Sequence, residues 1–134
     1  MKVVLDVNVL IAAEAARGLC LDVVVDCLAR HEIILCNEML VQMRRALGKK
    51  LGAPREMMDR LDALYREQSR IVTPLDVPRS ACRDPDDLPV LGTALAGGAS
   101  VIVTGDNDLL VLGRFGGTRI ITPRRFLEDY KAGP

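Results

Sequence analysis

Val3-Val4-Leu5-Asp6-Val7-Asn8-Val9-Leu10 is the stretch whose reading decides the fold. Three consecutive apolar residues end at an acid, and a helical pattern follows, over about 8 to 17 and again over 20 to 30. Asp6 breaks the run too early for a signal peptide and no small-residue cleavage site follows, so the segment is expected to be a buried first strand. Comparable runs recur at Ile33-Ile34-Leu35, Arg70-Ile71-Val72, Val101-Ile102-Val103 and Thr118 to Ile121, each separated from the next by helical or loop sequence. Short unbroken apolar strands alternating with amphipathic helices are the pattern of a parallel sheet covered on both sides. The expected class is therefore α/β: a three-layer α/β/α sandwich around a mainly parallel five-stranded sheet.

The connecting segments carry their own signals. Asn37 is a plausible cap for a helix running to about Leu47, with Gly48 as its stop, and Pro54 suits the first position of a helix reaching Ser69. Thr73 to Arg83 has no period and reads as a loop. Val90, Leu91, Ala94 and Leu95 recur at helical spacing before Gly97-Gly98, Asp108 to Leu112 suits one helical turn, and Thr122-Pro123 opens a last helix to about Tyr130.

At 134 residues the chain suits a single domain, 1–134, that buries about two thirds of its unfolded surface. No apolar stretch approaches the ~20 residues needed to span a bilayer. Eighteen basic residues balance eighteen acidic ones, which argues against coating nucleic acid by bulk charge while leaving room for a local basic surface. Cys20, Cys27, Cys36 and Cys82 include no pair at metal-ligand spacing. They read as reduced, mostly buried thiols, which points to a cytoplasmic protein.

A parallel sheet gathers the C-terminal ends of its strands along one edge. Asp6 ends the first strand there, Asp106 follows the fourth with Thr104 and Gly105 between, Asp87 opens a helix, and Glu38 lies in the first turn of another. Any one of these acids alone suits a helix start, where it satisfies free N–H groups. Their joint placement suggests a carboxylate cluster, and carboxylates packed together raise one another's pKa unless a cation such as Mg²⁺ or Mn²⁺ joins them. Asp84 and Asp86 read as caps of the helix that Asp87 opens. His31, the only histidine, stands before a strand, and no nucleophile motif such as G-x-S-x-G is present. Arg44, Arg45, Lys49, Lys50 and Arg55 form a basic cluster after Glu38, suited to phosphate contacts or simply to a solvated helix face.

The runs Val3-Val4-Leu5-Asp6-Val7-Asn8-Val9-Leu10-Ile11, Arg83-Asp84-Pro85-Asp86-Asp87, Val101-Ile102-Val103-Thr104-Gly105-Asp106-Asn107-Asp108 and Ile121-Thr122-Pro123-Arg124-Arg125-Phe126 together resemble the PIN-domain family. Within it the similarity is to toxin components of toxin–antitoxin pairs, related to VapC-type toxins. It extends over essentially the whole chain, departing from the family pattern at Val7, where Thr is common. The resemblance implies a Mg²⁺- or Mn²⁺-dependent endoribonuclease, the toxin of a type II pair, that hydrolyses phosphodiester bonds with water activated by the metal. It implies Asp6, Glu38, Asp87 and Asp106 as catalytic metal acids, supported directly or through water by Asn8, Thr104 and Asp108. RNA would meet Arg44, Arg45, Lys49 and Lys50. A small antitoxin protein and a second copy of the chain are the implied partners.

Two rivals stand beside this reading. A PIN-like module could bind RNA or protein without cutting. A haloacid-dehalogenase-like phosphohydrolase shares the look of Asp6-Val7-Asn8 but usually has Asp at the place of Asn8.

Overall fold

Val3, Val4 and Leu5 are fully buried in a computed structural model of the protein, as a strand covered on both faces must be. The structure describes residues 1–130, so the last four residues of the expected 1–134 domain lie outside it. In chain order the elements are β1 (Lys2–Leu5), α1 (Val7–Ala15), α2 (Gly18–Arg30), β2 (Glu32–Leu35), α3 (Asn37–Leu51), α4 (Arg55–Gln68) and β3 (Ser69–Ile71). After a loop with two short 3₁₀ turns come α5 (Leu88–Gly97), β4 (Val101–Val103), α6 (Asn107–Leu110), β5 (Arg114–Phe115), β6 (Thr118–Ile121) and α7 (Pro123–Tyr130).

The sheet order is β3-β2-β1-β4-β6-β5. All pairings are parallel except β5 with β6. The class is α/β as expected, but the sheet has six strands, not five. The additional β5 is two residues long and forms a hairpin with β6 across Gly116-Gly117, where Gly116 has φ 58°. A two-residue turn of this kind calls for positive φ, which glycine adopts at little cost.

Three helix boundaries also differ from expectation; Pro54 is the extended residue that precedes α4, not its first helical residue. Asn37 is the first helical residue of α3, not its cap; extended Cys36 precedes it with no side-chain capping bond. Gly48 lies inside α3, and the left-handed Gly52 (φ 59°) ends the helix by donating its N–H to the Gly48 and Leu47 carbonyls.

Register sets the geometry of the working edge. Val3 pairs with Val101 and with Ile33, and Leu5 with Val103, so β1, β2 and β4 end nearly level. Chain direction across the sheet reverses at β1: β2 and β3 lie on one side, β4 and β6 on the other. The chain segments leaving β1 and β4 therefore diverge and leave a crevice outside their carboxyl ends. Asp6 N–H donates to the Val103 carbonyl at 3.0 Å and Thr104 N–H to Ile121 at 2.9 Å, which carries the ladder one residue past each strand.

Candidate metal and nucleic-acid site

Asp6 occupies the first position beyond β1 and caps α1. Its Oδ1 accepts the Val7 N–H at 2.8 Å, and its Oδ2 accepts the Thr104 hydroxyl at 2.6 Å. Thr104, fully buried, also accepts the Asp106 N–H on its hydroxyl oxygen at 2.9 Å, so one side chain ties the ends of β1 and β4 together. Asp106 then caps α6 by accepting the Asp108 N–H at 2.9 Å. The same backbone needs that place acids at helix starts thus aim two carboxylates at one crevice.

Asp87 arrives from the other direction, at the junction of the Pro85–Asp87 3₁₀ turn with α5. It is buried, at 7% exposure. Its carboxyl is raised to about 8, first by loss of hydration, then by a hydrogen bond with Asp106 and by the negative charges of Asp106, Asp6 and Asp84. Asp6 is also raised, chiefly by burial and despite the opposing bonds from Thr104 and Val7. None of the ion pairs among the described residues includes these three acids.

Asp6, Asp87 and Asp106 share a cavity of about 350 Å³ with Asn8, Asp86 and an opposite wall from α3: Gln42, Arg45, Lys49 and Lys50. One wall is anionic and the other cationic. Glu38 is not in this cavity. It is exposed on the first turn of α3 and lines two neighbouring hollows, one with Asn37, Val41, Gln42 and Arg45, the other with residues of the 73–77 loop. Arg44 also points elsewhere: it pairs with Asp59 of α4 and lines the groove between α3 and α4.

Asp84, read from sequence as a cap, does accept the Asp86 N–H at 3.0 Å. It also groups with Asp87 and Asp108, whose carboxylate oxygens come within 4.8 Å of one another. Cys82 is a further neighbour that sequence patterns could not flag, because it matches no ligand spacing and one of its two partners, Asp108, belongs to a distant part of the chain. Its buried Sγ stands 3.4 Å from the Asp108 carbonyl and 3.9 Å from Asp87 Oδ2. Burial, more than these neighbours, pushes its thiol up. His31 is remote in the fold, at the opposite end of β2, where Nδ1 meets the chain's amino terminus at 3.1 Å.

The family model described as PIN domain matches residues 2–108. No curated protein matches. Among solved structures, VapBC2 from Rickettsia felis bound to a DNA fragment from their promoter superposes with a TM-score of 0.63 at 12% identity, covering 91% of this chain and 98% of that one. VapBC-1 from nontypeable Haemophilus influenzae superposes with a TM-score of 0.56 at 15% identity, covering 79% and 87%. At such identities the likeness is one of fold. Among the described residues no helix is long and apolar enough to cross a membrane.

Proposed function

Because the chain belongs to the PIN-domain family, we propose that it is a Mg²⁺- or Mn²⁺-dependent endoribonuclease and the toxin of a type II toxin–antitoxin pair. The observation that carries the metal is the gathering of Asp6, Asp87 and Asp106 on one cavity with no cationic side chain paired to any of them, a crowding that raises the buried Asp87 carboxyl. An all-oxygen donor set suits a hard divalent ion, which removes the repulsion that burial and crowding create. Asp6, Asp87 and Asp106 would hold it. Glu38 is the proposed fourth acid, joining from α3 by a change of its side-chain torsions.

When bound, such an ion supplies activation of water and neutralisation of charge on a phosphate. The chain's own residues do the rest. Thr104 fixes Asp6 and, through the Asp106 amide, the start of α6, so these carboxylates face the crevice without reorganising. Asp108 secures Asp106 through its N–H, and Asn8 offers an amide from the first turn of α1. Arg45, Lys49 and Lys50 attract the phosphodiester backbone to the opposite wall, contacts that position a strand without reading it. Arg44, held by Asp59, would contribute to the field more than to contact. The site needs no histidine, and His31 is too far away to serve it.

The proposed partners are a small antitoxin protein, a reading that the likeness to VapBC structures supports, and a second copy of the chain. The deciding experiment is incubation of a long structured RNA with the purified protein in Mn²⁺, in Mg²⁺ and in chelator, beside Asp6→Asn. Cleavage that requires metal and vanishes in the variant is expected. Equal cleavage by both proteins, or none by either when both are folded, would sink the nuclease reading.

A further inference from the structure

One face of α3 carries Glu38, Gln42, Arg45 and Lys49, spaced four, three and four residues apart and so stacked along one side of the helix. Gln42 and Arg45 line both the cavity of Asp6, Asp87 and Asp106 and the adjoining hollow of about 230 Å³ that holds Asn37, Glu38 and Val41. They form the shared wall between the two. Gln42 is half-buried, and its amide takes part in no side-chain hydrogen bond among the described residues. Asn37 differs, since its Oδ1 already accepts Arg66 at 2.8 Å. The other α3 residues of this wall are ionic or apolar, the second amide of the larger cavity, Asn8, stands on α1, and no aromatic residue lines either cavity to stack on a base.

We infer that Gln42 is a specificity-determining residue that recognises the ribose 2′-hydroxyl of the nucleotide next to the phosphate held at the acids. This rests on the ribonuclease reading above. A strand whose phosphate lies among the carboxylates and whose backbone follows Arg45 and Lys49 would run along the wall that Gln42 lines and bring an adjacent sugar to it. A primary amide offers an acceptor and donors side by side, matching a hydroxyl that both donates and accepts, whereas Lys and Arg offer donors only. The 2′-hydroxyl is the group by which a protein tells RNA from DNA at a given position. Without stacking partners, hydrogen bonding is the discrimination this wall can offer.

The test is binding in Ca²⁺, a hard ion that can occupy the oxygen donors and hold the phosphate, with both strands checked intact on a gel so that it does not depend on turnover. A labelled single-stranded RNA and its all-deoxy counterpart are titrated with wild type, Gln42→Ala and Lys49→Ala by fluorescence anisotropy. Wild type is expected to prefer RNA by about three- to tenfold, the worth of one net hydrogen bond. Gln42→Ala should lose that preference by weakening RNA alone, while Lys49→Ala weakens both strands alike. A preference unchanged in Gln42→Ala, or absent in wild type, overturns the role of Gln42 and leaves the nuclease reading standing on its cleavage assay. Binding of neither strand by wild type overturns the role of Gln42 as well, and a failed cleavage assay beside it overturns the nuclease reading too.

Discussion

Replacing Asp87 by Asn is expected to make the metal-free protein more stable, and the structure gives the size and the pH dependence. The Asp87 carboxyl stands at about 8 in the folded chain against about 3.9 for an unfolded Asp. Between those values the folded state holds a proton that the unfolded state releases, so stability falls as pH rises through about 4 to 8 and levels off above it. At pH 7 the full linkage is about 4 kcal/mol in favour of the unfolded chain. Asp6 and Asp106 share the charge, and a buried Asn still needs hydrogen-bond partners, so we expect about half of it, ~2 kcal/mol, to be recovered. For a chain of this length that is a rise in Tm of roughly 6–10 °C. The assay is thermal unfolding of both proteins in chelator at pH 5, 6, 7 and 8. Wild-type Tm should fall across the series, the variant should be flatter, and the gap should be widest at pH 8. Saturating Mn²⁺ should reverse the order, since an ion at a hundred times its Kd adds about 2.7 kcal/mol to wild type and little to a site lacking Asp87. Parallel pH slopes, or a variant less stable at pH 8, would refute the reasoning.

Other perturbations separate the roles of the neighbours. Thr104→Val keeps the shape but leaves the Asp106 N–H and Asp6 Oδ2 unpartnered, and should lower stability by about 1–3 kcal/mol in chemical denaturation while weakening Mn²⁺ binding. Gly92→Ala drives a methyl group onto the Leu75 carbonyl oxygen and against the Pro74 side chain, so a loss of about 1–3 kcal/mol is expected from overpacking; a neutral Tm would show that the 73–77 segment yields freely. Glu38→Gln, at an exposed position, should change metal-free stability by no more than about 0.5 kcal/mol. Calorimetric titration should find its Mn²⁺ affinity less impaired than that of Asp87→Asn, and an equal loss would place Glu38 fully inside the ligand set.

The strands were readable where burial on both faces forces unbroken apolar sequence. Val3 to Leu5, Ile33 to Leu35 and Val101 to Val103 are all at most 1% exposed. β5 was not, because Arg114-Phe115 is too short to show a period and its only signal is the Gly116-Gly117 turn. Asn37 looked like a cap by residue type, yet its amide oxygen is taken by Arg66 from α4, a partner that local sequence cannot supply. The grouping of Asp6 with Asp106 was legible because parallel register brings those strand ends level. The offset of Glu38 was not, since it depends on how the first turn of α3 exposes its side chain. Gln42 carries no local signal at all, because a single amide on an amphipathic helix becomes informative only when the opposite wall is known.

The acids can be crowded at this edge because the elements behind them are held closely. α5 brings Asp87 to the crevice, and two glycines let its backbone approach what it packs on. Gly97 lies so near Ile34 of β2 that a methyl group would overlap that side chain. At Gly92 the helix meets the 73–77 loop, where Leu75 N–H donates to the Gly92 carbonyl at 3.1 Å. α5 is thereby fixed on the sheet at one point and under the loop at the other, and its Val90, Leu91 and Ala94 are buried. A helix anchored in this way cannot retreat to relieve repulsion among Asp87, Asp106 and Asp6. The raised Asp87 carboxyl relieves that repulsion in the metal-free chain by favouring its protonated form, and the proposed divalent ion would displace that proton on entering. Metal affinity should therefore rise with pH up to about 8, opposite in sign to the stability of the metal-free chain over the same range.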